Sequence, residues 1–360
     1  MINIKIFEEV VSLLAESKNH EAILRIEALL EEAKKKGRHN LVKTLKSLTI
    51  KIPTTTLSAQ SVIQIKPDKG LYERVESDVL LEDVIVDEKT KDILTQFVNE
   101  WQNRGILKEL NLEPANRILL YGKPGTGKTK LAYGIANKLD LPLVLVQLDE
   151  LVSSFLGKTG KNLRDIFEVA KNEQVIIFLD EIDTVAKHRA DDKDLGELKR
   201  VVTVLLQNID SFSSNSILIG ATNHEELLDR ALWRRFPIKA KLSYPDQKNR
   251  ELLYKLFLKN FKIKTNVDLK LISILSEGLS GYEIFEICNG AMKNTILSRE
   301  KKIDVKILLK SILNNINNES KLNKKNTYEI CRILNKSGFS ITEISKISNI
   351  PYSTLADNLK

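Results

Sequence analysis

The stretch RILLYGKPGTGKTKLA (117–132) decides the fold of this chain. An apolar run, RILLY (117–121), leads directly into the glycine-rich segment GKPGTGKT (122–129), and a helical pattern begins at Lys130. The segment matches G-x-x-x-x-G-K-[ST], with the strand before it and the helix after it that a phosphate-binding loop requires. A glycine-rich turn carrying these letters by chance is expected on the order of once in a hundred such chains. The flanking pattern excludes that alternative.

The residue types of this loop suit a bound nucleoside triphosphate. Three glycines let the backbone wrap a phosphate chain and turn its N–H groups inward. Lys128 is predicted to reach the β- and γ-phosphates, and the Thr129 hydroxyl is placed to bind Mg²⁺. The predicted nucleotide-binding residues of the loop are Gly122, Lys123, Pro124, Gly125, Thr126, Gly127, Lys128 and Thr129.

Two later apolar runs end in polar residues that suit hydrolysis. The first, VIIFLDEID (175–183), ends at Asp180 and Glu181. We assign Asp180 to the metal and Glu181 to polarisation of the attacking water. The second, SILIGATN (216–223), ends at Asn223, whose amide can orient the same water. Asparagine is also a common turn residue, so a structural role for Asn223 stays open.

A pair of arginines follows eleven residues later, in LLDRALWRRFP (227–237), just before another apolar run. A guanidinium supplied to the developing phosphoryl charge raises the rate by orders of magnitude. Arg234 and Arg235 are the candidates, and the sequence does not choose between them. Arginines in a loop are otherwise usually part of a solvated face.

The five apolar runs RILLYG, LPLVLVQLD, QVIIFLDEID, SILIGATN and FPIKAKL alternate with helical stretches. This alternation predicts an α/β fold with a parallel sheet. The pattern divides the chain into a helical N-terminal bundle for docking (1–52), a linker (53–70), an α/β core (71–245), a helical lid (246–320) and a C-terminal unit of three helices (327–360).

Composition excludes several classes of protein. The chain has 360 residues, 42% hydrophobic and 29% charged, which is too apolar for disorder. Its longest apolar run, Val175 to Leu179, is far short of the roughly 18 residues of a membrane span, so we expect none. No signal peptide is apparent, and the two cysteines suit buried thiols in a reducing compartment, so we expect a cytoplasmic protein. The net charge of +8 is only moderate.

Residues 80 to 315 together resemble an AAA+ ATPase of the classical clade, which includes katanin and spastin. GKPGTGKT resembles its Walker A motif, FLDEID its Walker B motif, Asn223 its first sensor, and LDRALWRRF its arginine-finger segment. The segment DVIV (83–86), with Val86, resembles the part that packs on adenine. SGYEIFEI (280–287) resembles the start of the lid helix, where Gly281 approaches the nucleotide.

The resemblance implies a fold, a reaction and an assembly. The fold is a doubly wound, five-stranded parallel P-loop sheet with a helical lid, and the reaction is hydrolysis of ATP with Mg²⁺. The chain is expected to form a homo-oligomer, a hexameric ring, in which an arginine acts on the neighbour's ATP. Phe155, Leu156 and Gly157 stand where the family has the pore loop that grips a protein substrate. The alternative is that Phe155 belongs to the core.

The leading hypothesis is a ring motor that remodels or threads a protein partner. No protease motif is present, so degradation would need a separate protein such as a protease. The C-terminal residues 327–360 resemble a helix-turn-helix domain, and residues 321–360 carry seven basic and three acidic side chains. The alternative function is therefore an ATP-dependent regulator that binds DNA through 327–360, although this unit would also serve as a protein-docking module. A nucleotide-gated scaffold with little turnover is the third hypothesis.

Overall fold

The computed structural model describes residues 63–65, 72–149, 159–184, 195–259, 264–265, 268–300, 302–303, 305–318 and 324–359. They belong to one unit of the chain, Val62–Lys360. The predicted N-terminal bundle (1–52) and the predicted pore residues Phe155, Leu156 and Gly157 lie outside the described residues.

The main sheet contains all five predicted apolar runs as strands, and its parallel part confirms the α/β prediction. Its strand order is β1-β2-β4-β5-β6-β3-β7, and β4, β5, β6, β3 and β7 are parallel. The strands are β1 (Ile63–Ile65), β2 (Glu73–Glu76), β3 (Arg117–Tyr121), β4 (Leu143–Gln147), β5 (Ile176–Asp180), β6 (Ile217–Thr222) and β7 (Ile238–Lys241).

The sheet is larger than the five strands predicted. Strands β1 and β2 extend it beyond β4 in antiparallel pairing, with β1 at the edge, so the described sheet has seven strands. The sequence ERVE of β2 buries only Val75, so it lacks the apolar run that identifies the central strands. β1 lies inside the predicted linker 53–70 and has only three residues. Its position in the sheet depends on pairing with β2, which no local pattern reveals.

Helices cover both faces of this sheet. The helices of the α/β part are α1 (Glu88–Gln102), α2 (Arg104–Glu109), α3 (Lys128–Leu139), α4 (Thr159–Asn172), α5 (Leu195–Asp210) and α6 (Arg230–Arg235). Side chains alternate along β3: Ile118 belongs to the core that contains α1 and α3, and Leu119 to the core that contains α4 and α5. Because the five central strands are parallel, their carboxyl ends lie together at one edge, where open α/β sheets bind ligands.

The region after the sheet is mostly helical. Its helices are α7 (Gln247–Lys259), α8 (Leu269–Leu275), α9 (Gly281–Leu297), α10 (Val305–Asn318), α11 (Lys324–Lys336), α12 (Ile341–Ser348) and α13 (Tyr352–Asn358). The region predicted as a helical lid also contains two short strands, because β8 (Lys264–Thr265) and β9 (Lys302–Ile303) pair in parallel. Strands of two residues are too short to show a period in the sequence.

The lid and the three C-terminal helices share one hydrophobic core. Cys288 of α9, Leu309 of α10, Cys331 of α11 and Leu355 of α13 are all buried in it. Both cysteines are free and buried, as expected. Three C-terminal helices are present where they were predicted, but they pack as an extension of the lid. Within the described ranges, every helix is too short or too polar to span a membrane.

Candidate active site

The glycine-rich loop joins β3 to α3 through three left-handed backbone positions. Gly122, Gly125 and Gly127 have φ values of 142°, 74° and 97°. A Cβ atom on Gly122 would lie 2.0 Å from the carbonyl oxygen of Leu242, so no larger residue fits there. Glycine is required at these positions because L side chains rarely adopt such φ values. The loop therefore has the turn geometry that its sequence predicts.

Lys128 opens α3, and its ammonium group is directed back into the loop. Its Nζ donates to the carbonyl oxygens of Gly122 at 2.7 Å and of Lys123 at 3.0 Å. The residue is 7% exposed. Burial lowers its pKa to about 8, although the negative charge of Asp180 partly offsets this effect. A buried cation at a helix N-terminus beside a glycine-rich turn fits a polyphosphate, which would supply the negative charge.

The two residues predicted to bind metal lie together. The Thr129 hydroxyl donates to Asp180 Oδ2 at 3.3 Å, across the gap between α3 and the end of β5. Burial raises the pKa of Asp180, while hydrogen bonds from the Glu181 backbone N–H and Thr129 oppose that rise. The described residues contain no group of three or more histidine, cysteine or acidic side chains that could hold a metal. One hydroxyl and one carboxylate beside a phosphate site nevertheless fit Mg²⁺, which takes few protein ligands.

Glu181 occupies the turn directly after β5. Its backbone is left-handed, with a φ of 51°, and its residue surface is exposed. The turn is fixed on both sides: Glu181 N donates to Asp180 Oδ1 at 2.9 Å, and Ile182 N donates to the Ala221 carbonyl at 2.9 Å. Such a conformation in a non-glycine residue is held only by its surroundings. The turn thereby places Glu181 at the carboxyl edge of the sheet, directly after Asp180.

A buried hydrogen bond that sequence reasoning missed joins this turn to the predicted sensor. The Thr222 hydroxyl donates to Asp183 Oδ1 at 2.7 Å and accepts from His224 N at 3.0 Å. Thr222 and Asp183 are 0% and 1% exposed. Thr222 directly precedes Asn223, so the bond links the position of Asn223 to that of Glu181. The sequence offered one indication of this bond: Thr222 in GATN and Asp183 in DEID are polar residues at the ends of otherwise apolar strands.

The two candidate arginines end α6, which corrects the expectation that they lie in a loop. Arg235 is bound within the chain: its Nε and Nη2 donate to the two carboxylate oxygens of Asp210 at 2.8 and 2.7 Å, and its Nη1 donates to the Ala231 carbonyl at 2.9 Å. Arg234 is exposed, and nothing in the described part of the chain forms an ion pair with it. The structure thus separates two residues that the sequence treats alike.

The lid reaches the loop at the predicted start of α9. Tyr282 N donates to the Gly125 carbonyl at 3.1 Å, and Gly281 packs against the same carbonyl. Val86, predicted to pack on adenine, is partly buried against the core that contains α3. Its neighbour Ile85 packs against the lid core. The structure therefore places the segment around Val86 between the α/β part and the lid.

Comparison with known proteins identifies the family of this chain. The sequence model of the ATPase family associated with various cellular activities (AAA) matches residues 118–244. The chain is 33% identical over 282 residues to an uncharacterized AAA family ATPase, y4kL, from Sinorhizobium fredii, which covers 77% of this chain and 85% of that protein. This chain belongs to the AAA ATPase family. As an AAA ATPase, it binds and hydrolyses ATP.

Other relatives of this AAA ATPase carry a more specific name. A proteasome-activating nucleotidase from Saccharolobus solfataricus is 37% identical over 223 residues, which is 60% of this chain and 56% of that protein. One from Methanopyrus kandleri is 34% identical over 213 residues, which is 57% of this chain and 49% of that protein. The chain thus spans about half the length of these relatives.

The lowered pKa of Lys128 predicts a pH dependence of ATP binding by this AAA ATPase. Below about pH 8 the ammonium is already protonated in the free protein, so affinity is nearly constant there. Above that pH, binding must take up a proton, and the dissociation constant rises by up to about tenfold per pH unit. Calorimetry in two buffers of different ionisation enthalpy measures the uptake. Lys138→Met, which removes an exposed lysine of α3, should keep the dependence. Binding without proton uptake above this pH would contradict the prediction.

The Thr222–Asp183 hydrogen bond predicts a turnover defect without a binding defect. Thr222→Val removes the hydroxyl at nearly constant volume, so Asn223 and Glu181 lose their shared support. We expect kcat to fall about tenfold to a hundredfold, as for misplaced catalytic groups, with ATP affinity unchanged. Steady-state turnover and equilibrium binding of ATP measure the two effects.

Two variants complete that test. Thr222→Ser keeps the hydroxyl and should restore most of the turnover. Ser216→Ala removes a buried hydroxyl at the other end of β6, where Ser216 Oγ donates to the Ala170 and Glu173 carbonyls, so it controls for lost stability. If Ser216→Ala lowers kcat as much as Thr222→Val does, the positioning role is wrong.

Proposed function

We propose that copies of this AAA ATPase assemble into a ring, hexameric by resemblance to its family, in which Arg234 of one copy acts at the ATP of its neighbour. The observation that carries this proposal is the separation of the two arginines on α6. Arg235 is bound to Asp210 in its own chain, whereas Arg234 is exposed. An exposed cation at the end of a short helix suits a site outside its own subunit, because it can contact a neighbour without first breaking an ion pair in its own chain.

Within one copy, we propose that each polar group at the sheet edge has a distinct task. The loop glycines and Lys128 hold the phosphates, and Thr129 with Asp180 would hold Mg²⁺, which neutralises phosphate charge when it is bound. Glu181 accepts a proton from the attacking water, and Asn223 orients that water. Val86 and Gly281 contact the nucleoside end. The support for this division is the geometry of Lys128, Thr129 and Asp180 at the loop, together with the resemblance of the remaining residues to the family's motifs.

We further propose that the ring remodels or threads a protein. The support is the pore-like triplet Phe155-Leu156-Gly157 and the similarity to proteasome-activating nucleotidases, whose name associates those relatives with a proteasome. By that similarity, a separate protease is a candidate partner. The subgroup that includes katanin and spastin stays our proposed placement within the family, on the motifs of residues 80–315.

The pore proposal predicts that Phe155→Ala separates hydrolysis from mechanical work. An aromatic side chain grips a polypeptide without sequence preference, and alanine offers too little surface to grip. We expect unfolding of a tagged fluorescent substrate to fall to background while ATP turnover stays near that of the wild type. Phe155→Tyr is the matched variant and should retain unfolding, because it keeps the ring. Equal unfolding by Phe155→Ala and the wild type would overturn the pore role.

The structure does not favour the DNA alternative. In a helix-turn-helix domain the last of the three helices reads the DNA. Here that helix is α13, with sequence YSTLADN; it contains no basic residue, and its Asp357 is exposed. DNA binding depends on neutralisation of phosphates by lysine and arginine. We therefore propose that residues 324–359 serve the lid and its protein contacts.

A further inference from the structure

A ladder of aromatic rings and lysines connects α6 to the strand that enters the nucleotide loop. The rings of Tyr121 and Trp233 meet edge to face, with centroids 5.2 Å apart and an interplanar angle of 70°. Lys239 Nζ lies 5.3 Å from the centroid of Trp233, and Lys241 Nζ lies 5.9 Å from that of Tyr121. These four residues, which we call the aromatic ladder, join the ends of β3, α6 and β7.

The ladder connects two functional segments at consecutive residues. Tyr121 is followed directly by Gly122, the first residue of the glycine-rich loop, and Trp233 is followed directly by Arg234. The Tyr121 backbone is held between β6 and β7, and its carbonyl accepts from Leu242 N at 2.8 Å. A shift of the loop backbone at Gly122 therefore acts on a side chain that is packed against α6.

Binding of ATP would remove a hydrogen bond that holds the loop in its present position. In the structure, Lys128 Nζ donates to the Gly122 carbonyl at 2.7 Å. An ammonium that turns to a phosphate gives up this bond, and the freed carbonyl belongs to the residue beside Tyr121. Aromatic edge-to-face pairs have a preferred geometry, so movement of one ring favours movement of the other.

We propose that Trp233 is a positioning residue which, through Tyr121, couples the nucleotide state of its own loop to the position of Arg234. A subunit would thereby present its arginine differently according to what its own site holds. The consequence for a neighbouring copy rests on the proposed ring, but the link inside one copy does not.

Tryptophan fluorescence tests the link directly, because the chain has only two tryptophans. Trp101→Phe leaves Trp233 as the single tryptophan. Excited selectively over the tyrosines, its emission should change saturably with ATP and Mg²⁺ at a protein concentration where sedimentation finds single copies. Adding Lys128→Ala should abolish the response. The reciprocal variant Trp233→Phe leaves Trp101, a buried residue of α1, as the matched control that should not respond. Unchanged Trp233 emission, with ATP saturation verified by calorimetry, would overturn the proposal.

Kinetics test the functional side of the coupling. Trp233→Leu keeps an apolar side chain but loses the ring pair, and we expect kcat to fall about threefold to tenfold, the size of an aromatic pair interaction, with unchanged ATP affinity. Trp233→Phe should restore most of the loss. Tyr121→Leu combined with Trp233→Leu should cost no more than either change alone, whereas additive losses would refute coupling through this pair.

The outcome is separable from that of the proposed ring. Full activity of Arg234→Ala would remove the trans role of the arginine and leave the fluorescence response of Trp233 intact. An absent fluorescence response would refute the link between the loop and Trp233 and would not affect the proposal of a ring.

Discussion

Arg234→Ala should reduce ATP turnover by about 10³-fold or more, the effect of removing an arginine finger, while the affinity for ATP stays within a factor of about two. The guanidinium acts on charge that develops in the transition state, so its loss affects kcat and not ground-state binding. Turnover of the assembled protein and equilibrium binding of ATP measure the two quantities. A turnover equal to that of the wild type would exclude Arg234 as the finger.

The same helix supplies the control for Arg234. Arg230, at the first position of α6, is also exposed, and Arg230→Ala removes the same charge one helical turn away. It should leave turnover nearly unchanged. Arg235→Ala instead breaks the ion pair with Asp210, so its main expected effect is a lower melting temperature.

Mixed rings test whether Arg234 acts on a neighbour. Arg234→Ala subunits keep an intact nucleotide loop, and Lys128→Ala subunits keep an intact arginine. Each protein alone should be nearly inactive, but a mixture should regain turnover wherever an intact loop faces an intact arginine. If mixing restores nothing, action between subunits is refuted.

Glu181→Gln should reduce turnover by about 10²- to 10⁴-fold, the range for removal of a general base, and should still bind ATP. Glutamine keeps the size of the side chain but cannot accept the proton of the attacking water. Single-turnover hydrolysis and calorimetry measure the two effects. Turnover equal to that of the wild type would show that another group is the base.

The matched control for Glu181→Gln is Glu168→Gln, which removes one negative charge from an exposed residue of α4. It should leave turnover near that of the wild type.

The hydrolysis-deficient Glu181→Gln protein can also identify the class of partner. In the presence of ATP, it should retain a bound polypeptide in a pull-down. Retention of DNA in place of a polypeptide would favour the DNA-binding alternative, which the lack of basic residues in α13 disfavours.

The core of the fold was predictable because its signals are local. Five apolar runs marked the parallel strands, and GKPGTGKT marked the turn between β3 and α3. The carboxyl ends of adjacent parallel strands meet at one edge, so Asp180 and Asn223 were expected near Lys128. The two antiparallel strands β1 and β2 were missed, since three residues of IQI and one buried valine carry too little pattern.

The sequence predicted which residues belong to the candidate site, but not which residues from distant parts of the chain contact them. Thr129 and Asp180 meet as expected, and the three glycines adopt the left-handed positions that their type allows. The bond between Thr222 and Asp183 joins residues 39 positions apart, so no spacing rule reveals it. The same holds for the contact of Tyr121 with Trp233.

The sequence by itself determined the phosphate loop, the order of the parallel strands along the chain and the helical lid, because backbone freedom at glycine and the burial of apolar runs act over a few residues. Only the tertiary structure decided which arginine is exposed, how the three C-terminal helices join the lid core, and which ring lies against Trp233. Those outcomes depend on side chains that folding brings together from distant parts of the chain. Asp210 and Arg235 illustrate the reason: until α5 and α6 are adjacent, nothing distinguishes Arg235 from Arg234.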